Sequence, residues 1–171
     1  MRPVSHPNEE LIERFYKAFA GRDGATMAAC YAPGARFSDP VFTGLRGNEP
    51  GAMWQMLTAR ATDLEVKLVE REAADERGSA HWLADYTFST GRRVHNDVRA
   101  EFGFEAGLIA SHEDSFSFYA WARQALGPAG LALGWTPILR AKGPRLSKWR
   151  SPASGWAWLG PPPSPDSTGG T

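Results

Sequence analysis

Apolar residues at Leu11, Ile12, Phe15 and Phe19 recur at helical spacing. They predict a first helix, with Asn8 as its N-cap and Gly21 as its stop. Asp23 opens a short second helix carrying Met27, Cys30 and Tyr31, which Pro33-Gly34 closes. The stretch 35–39 then reads as a short strand with Phe37 and Asp39 on one face, ended by Pro40. A turn at Gly44-Leu45-Arg46-Gly47 leads to a third helix, capped by Asn48, with Met53, Trp54 and Leu57 on one stripe.

Beyond this point the period changes from helical to alternating. Residues 64–74, 80–89, 94–105 and 108–118 read as four strands separated by short turns, an antiparallel meander. Helices followed by consecutive strands make an α+β pattern. The alternation assigns faces. Trp82, Ala84, Tyr86 and Phe88 point one way on one strand, and Val94, Asn96, Val98, Ala100, Phe102 and Phe104 on the next. On the last strand Leu108, Ala110, His112, Asp114, Phe116 and Phe118 share a face. Asn96, His112 and Asp114 are therefore polar residues on apolar faces, whereas His81 and His95 fall on the opposite side.

The chain has 171 residues, and its organisation reads as an extension over 1–7, one α+β domain over 8–126, an apolar then basic segment over 127–150, and a Pro/Gly/Ser-rich tail over 151–171. The tail composition predicts disorder. Formal net charge is zero, so no global field points to nucleic acid. A single cysteine, Cys30, excludes an intramolecular disulfide and a multi-cysteine metal site. Residues 1–10 hold no apolar signal-peptide core, which sets a cytoplasmic expectation. Membrane contact by the apolar-then-basic segment is the weaker reading beside a strap packed on the domain.

The opening Leu11-Ile12-Glu13-Arg14-Phe15-Tyr16, the run Cys30-Tyr31-Ala32-Pro33-Gly34-Ala35-Arg36-Phe37-Ser38-Asp39-Pro40, the Gly44–Gly47 turn and the closing strand from Gly107 to Phe118 together resemble the nuclear-transport-factor-2-like superfamily. The branch resembled is that of the SnoaL-like and ketosteroid-isomerase-like proteins. The resemblance implies a cone-shaped α+β barrel, its curved, mostly antiparallel sheet wrapped around the N-terminal helices, with one deep pocket and commonly a homodimer. It puts Asp39 where the isomerases place their proton-shuttling aspartate, a carboxylate tuned by its surroundings. The isomerases' helix tyrosine falls on Phe15 here and their strand aspartate on Ala100, so steroid isomerisation is disfavoured. Tyr16, one residue along, is expected on another side of the helix.

Asp39, His112 and Asp114 are thus the candidate catalytic set. A histidine two residues from a carboxylate on one strand face can exchange protons near neutral pH, oriented by that carboxylate. Phe15, Phe19, Phe37, Trp54, Trp82, Phe102 and Phe116 are candidate ligand-binding walls, with Tyr86 and Asn96 as hydrogen-bond donors. The expected partner is a small hydrophobic molecule, with no cofactor and no metal site. The expected chemistry is acid–base: isomerisation, dehydration or hydrolysis. For every one of these residues a plain role in the core stays open, and the alternative for the whole chain is a non-catalytic ligand-binding or dimerisation domain.

Overall fold

The structure, a computed structural model, describes residues 5–134. Three helices, α1 (Pro7–Ala20), α2 (Gly24–Ala29) and α3 (Glu49–Arg60), lie on one side of a six-stranded sheet. Its strands are β1 (Tyr31–Ser38), β2 (Leu45–Arg46), β3 (Glu65–Ala73), β4 (Arg77–Thr87), β5 (Arg93–Glu105) and β6 (Leu108–Ser115), and α4 (Phe118–Gly134), broken into two helical pieces at Gly127 before Pro128, follows. The spatial order is β2-β1-β6-β5-β4-β3. The sheet is curved but not closed, so β2 and β3 remain its edges rather than sealing a barrel.

Local chemistry explains most element ends. Pro7 opens α1, where a missing N–H costs nothing, and the cap is His6, whose Nδ1 accepts from the Asn8 amide at 3.1 Å. Asn8 is therefore not the cap. Its buried side chain donates to the carbonyls of Ala74 and Asp75 at 2.9 and 3.0 Å, tying α1 to the β3–β4 turn. Asp23 caps α2 as expected, accepting from the Thr26 amide at 3.0 Å. The Asn48 side chain makes no capping bond on α3. Gly24 lets α2 approach α3 closely, since a Cβ there would come within 2.5 Å of Gln55 Cα and Thr58 Oγ1.

The meander expected for the last four strands is present as β3 to β6. β1 joins it in parallel, alongside β6. Tyr31 begins this strand instead of ending a helix, and Pro33-Gly34 lies within an irregular stretch of it rather than breaking the chain. A proline is tolerated there because β2 pairs only with positions 36 and 37, so Pro33 faces no ladder on that side.

The inward faces of β4 and β5 match the alternation: Trp82, Ala84, Val94, Val98, Ala100 and Phe102 are buried. On β6 the pattern shifts. Gly103 pairs with Ser111 but Phe104 pairs with Ile109, so Ala110 is an extra residue. The shift buries Ile109 completely and turns Ala110 to the outer surface, opposite to the expectation, while His112 and Asp114 stay inside.

One core cluster fills the space between helices and sheet. A second, made of Phe88, Val94, Trp121, Ala122 and Ala125, holds α4 against the end of the sheet. Val41, Tyr86 and Phe116 are half-buried and touch both clusters. Among the described residues no helix is long and apolar enough to cross a membrane. The basic cluster and the tail, with the bulk of the 127–150 segment, lie outside the described residues.

Candidate functional site

The interior polar groups form a chain of hydrogen bonds that crosses three elements. Trp54 Nε1, on α3, donates to Tyr31 Oη at 2.8 Å. Tyr31 Oη lies 2.7 Å from His112 Nδ1, and His112 Nε2 lies 2.9 Å from Asp114 Oδ1. Beside a neutral His112 ring, Tyr31 accepts from Trp54 and donates its one proton to Nδ1. In the neutral ring this leaves the proton on Nε2, pointing at Asp114. The His112 and Asp114 side chains are 0% and 2% exposed.

Aromatic rings enclose the histidine. Phe102, Phe37, Phe15 and Trp54 sit with centroids 4.3, 5.0, 5.5 and 6.1 Å from its ring. Phe19 packs on Trp54 and Trp82 at 5.0 and 5.4 Å. Phe15, Phe19, Phe37, Trp54, Trp82 and Phe102 are thus buried core around the network. Tyr86, Asn96 and Phe116, from the same candidate set, keep partial exposure on the inward face.

Asp39 stands apart from that network. It follows β1 and folds into a tight loop: its amide donates to the Phe42 carbonyl at 2.8 Å, and its Oδ1 accepts from the amides of Val41, at 2.6 Å, and Phe42. Oδ2 has no hydrogen-bond partner among the described residues. Burial pushes the Asp39 carboxyl from 3.8 up to about 7, against the two backbone donors that lower it, and the negative Asp114 adds to the rise. Tyr86 stands close enough for the Asp39 charge to raise its hydroxyl too, though burial is the larger cause. The Tyr86 Oη accepts from Trp121 Nε1 at 2.9 Å, so α4 is pinned beside this carboxylate.

Two further interior groups matter. Among the described residues Tyr16 Oη and Trp82 Nε1 are buried with no partner in hydrogen-bond geometry, yet with ring centroids 5.6 Å apart Trp82 is near enough to lower the Tyr16 hydroxyl. Burial raises the Tyr16 hydroxyl well above its usual value, and Asp114 is the next cause. Tyr16 is therefore buried as well, but on another side of α1: it meets Trp82 and Phe102, where Phe15 meets Tyr31, Trp54 and His112. Adjacent helix positions Phe15 and Tyr16 are both buried because the sheet curves around α1. Asp114 thus acts electrostatically on Tyr16, Tyr31 and Asp39 together.

Asp39, His112 and Asp114 do not converge on one point, and among the described residues no group of His, Cys, Asp or Glu could hold a metal ion. Tyr31 is absent from the sequence-derived set because the hydrophobic pattern assigns it to a helix. It has the same parity as Ala35 and Phe37, and a strand extended through Pro33-Gly34 places it inward. Of the two cavities described, the first, of about 280 Å³, lies on the outer face of the sheet, and the second, of about 270 Å³, is lined by Arg36, Glu101, Ser111 and Glu113 of that face together with Phe37, Phe102 and His112.

Residues 12–112 match the SnoaL-like domain family. The chain belongs to that family. Solved structures share its fold. An NTF2-like protein of unknown function from Burkholderia pseudomallei is 19% identical, with 70% of this chain and 98% of that one covered at a TM-score of 0.62. An LEH-like epoxide hydrolase from M. tuberculosis is 20% identical over 77% and 99%, at a TM-score of 0.62. A hypothetical protein with a ketosteroid-isomerase-like fold from Catenulispora acidiphila, in complex with trimethylamine, is 15% identical over 75% and 98%, at a TM-score of 0.62. At these identities the likeness carries the fold. No curated protein matches the sequence. In this SnoaL-like domain the family's interior is thus occupied by the Trp54–Tyr31–His112–Asp114 chain, with Asp39 at its margin.

Proposed function

We propose that this SnoaL-like domain binds a small, largely apolar molecule and moves a proton on it, with Asp39 as the base. The observation that carries this reading is the Asp39 carboxyl, raised to about 7 with Oδ2 left without a partner. A base with that value is half-ionised near neutral pH, where proton transfer in both directions is efficient. The half-buried Val41, Tyr86 and Phe116 beside it offer apolar surface. His112 and Asp114 then act from behind: Asp114 adds to the rise of the Asp39 carboxyl that burial chiefly sets, and His112 bonds Asp114 in place. The reaction is an isomerisation, dehydration or hydrolysis that starts from proton abstraction and draws on no cofactor. The proposed assembly is a homodimer, supported by the family resemblance and read out by light scattering.

A second reading is favoured by one observation. His112 has both nitrogens bonded and no exposed surface, as expected of a core that needs no chemistry. On that reading the domain binds a ligand without transforming it. A thermal-shift screen of small aromatic and polyketide-like compounds, followed by turnover assays on each hit, separates the two. The catalytic reading expects a hit whose turnover falls roughly a hundredfold or more in Asp39→Asn with binding retained. Equal turnover by the variant overturns Asp39 as the base.

A further inference from the structure

The outer face of the sheet carries a polar row that the interior site does not use. Arg36 on β1 is directly opposite Arg46 on β2, and on its other side Arg36 is in register with Ser111 on β6, which pairs in turn with Gly103 on β5. Residues paired across strands share a face, so the row Arg46–Arg36–Ser111–Gly103 runs over four adjacent strands. None of the ion pairs among the described residues includes Arg36 or Arg46. Like charges directly opposite one another destabilise a strand pair. Here one of the two residue pairs that hold β2 to the sheet is of this kind.

The surroundings leave room above the row. Arg36 lines both cavities, about 280 and 270 Å³, with Arg46 and Gly34 lining the first, and Ser111 the second beside Phe37, Phe102 and His112. A Cβ on Gly34 would meet nothing within 4 Å, so the floor beside Arg36 is open. A Cβ on Gly103 would collide with Ser111 Oγ, so glycine at that position leaves space for the hydroxyl. The Ser111 hydroxyl has no hydrogen-bond partner among the described residues.

We propose that Arg46, Arg36 and Ser111 form a binding site for a phosphoryl group on the outer face of the sheet. Two guanidinium forks side by side offer several N–H donors and two positive charges to a tetrahedral dianion, and the hydroxyl adds one donor at the flank. The ligand would relieve the repulsion between the arginines. Glu105 lines the first cavity and Glu101 and Glu113 the second, and they keep affinity modest by opposing the same anion. They also supply a control, because removing one of these charges tightens a true anion site.

The test uses the full chain and follows the arginine Nε–H resonances by NMR at constant ionic strength, with chloride as the background anion. Inorganic phosphate, glycerol phosphate and phosphatidic-acid vesicles are titrated separately. Saturable shifts of Arg36 and Arg46 in any of the three support the site, and the tightest of them names the source of the phosphoryl group. Arg36→Gln and Arg46→Gln each weaken binding roughly fivefold or more, and Glu113→Gln tightens it. All three side chains are exposed, and unchanged melting curves check that the variants fold. Shifts that fail to saturate with every probe, or binding unchanged in both arginine variants, overturn the proposal.

Discussion

Tyr31 Oη lies 2.7 Å from His112 Nδ1 while accepting from Trp54 Nε1 at 2.8 Å, so one hydroxyl holds together the first strand, the third helix and the last strand. Removing it strands two buried groups at once. Tyr31→Phe is expected to lower stability by roughly 2–4 kcal/mol, measured by urea unfolding. A loss below about 0.5 kcal/mol would show that the network is dispensable.

The raised Asp39 carboxyl makes stability depend on pH in a defined direction. The folded state keeps its proton up to about 7, whereas the unfolded chain releases it near 3.8. Between those values the unfolded state binds fewer protons, so stability falls as pH rises from about 4 to 7 and then levels. Two backbone amides bond Oδ1, and an asparagine oxygen could accept both. Asp39→Asn is therefore expected to match the parent near pH 4 and to exceed it at pH 8, by up to roughly 4 kcal/mol. Melting curves across this range read the difference. A variant less stable than the parent at pH 8 contradicts the assignment.

The pinning of α4 can be tested without a substrate. Trp121 donates to Tyr86 Oη and packs with Phe88, at a ring separation of 5.5 Å. Trp121→Phe keeps the ring contact and loses the N–H, at an expected cost of roughly 0.5–1.5 kcal/mol. Hydrogen exchange should quicken over residues 118–126 and stay unchanged in β4 and β5. Unchanged exchange in α4 would mean that the Phe88 and Val94 packing alone holds the helix.

Gly24 faces α3 with no space for a side chain. Gly24→Ala must push the two helices apart, because the atoms met include the backbone Cα of Gln55. The expected loss is roughly 1–3 kcal/mol, despite the better helix propensity of alanine. A stabilised variant would show that α2 shifts freely.

Much of this arrangement is legible in the sequence. Period-two alternation places Trp82, Val94, Val98 and Phe102 inside because each lies on a regularly paired strand. It also brings His112 next to Asp114. What the pattern misses has local causes. Ile109 and Ala110 exchange faces at a bulge, and one inserted residue leaves no mark in hydrophobicity. Tyr31 is hidden by Pro33-Gly34, which reads as a stop but is accommodated in an irregular part of β1. The burial of Tyr16 depends on how far the sheet wraps around α1, which is a tertiary property. Asp39 is visible as a carboxylate beside Phe37, but its separation from the His112–Asp114 pair follows from the loop that bonds it to Val41 and Phe42.

The central claim is that Asp39 is a base poised near neutral pH. The most direct measurement is an NMR titration of the Asp39 side-chain carboxyl carbon in the intact chain, assigned by comparison with Asp39→Asn. The account predicts a midpoint near 7. A midpoint in the ordinary aspartate range, about 4 or below, would contradict it and leave the domain without a base at this position.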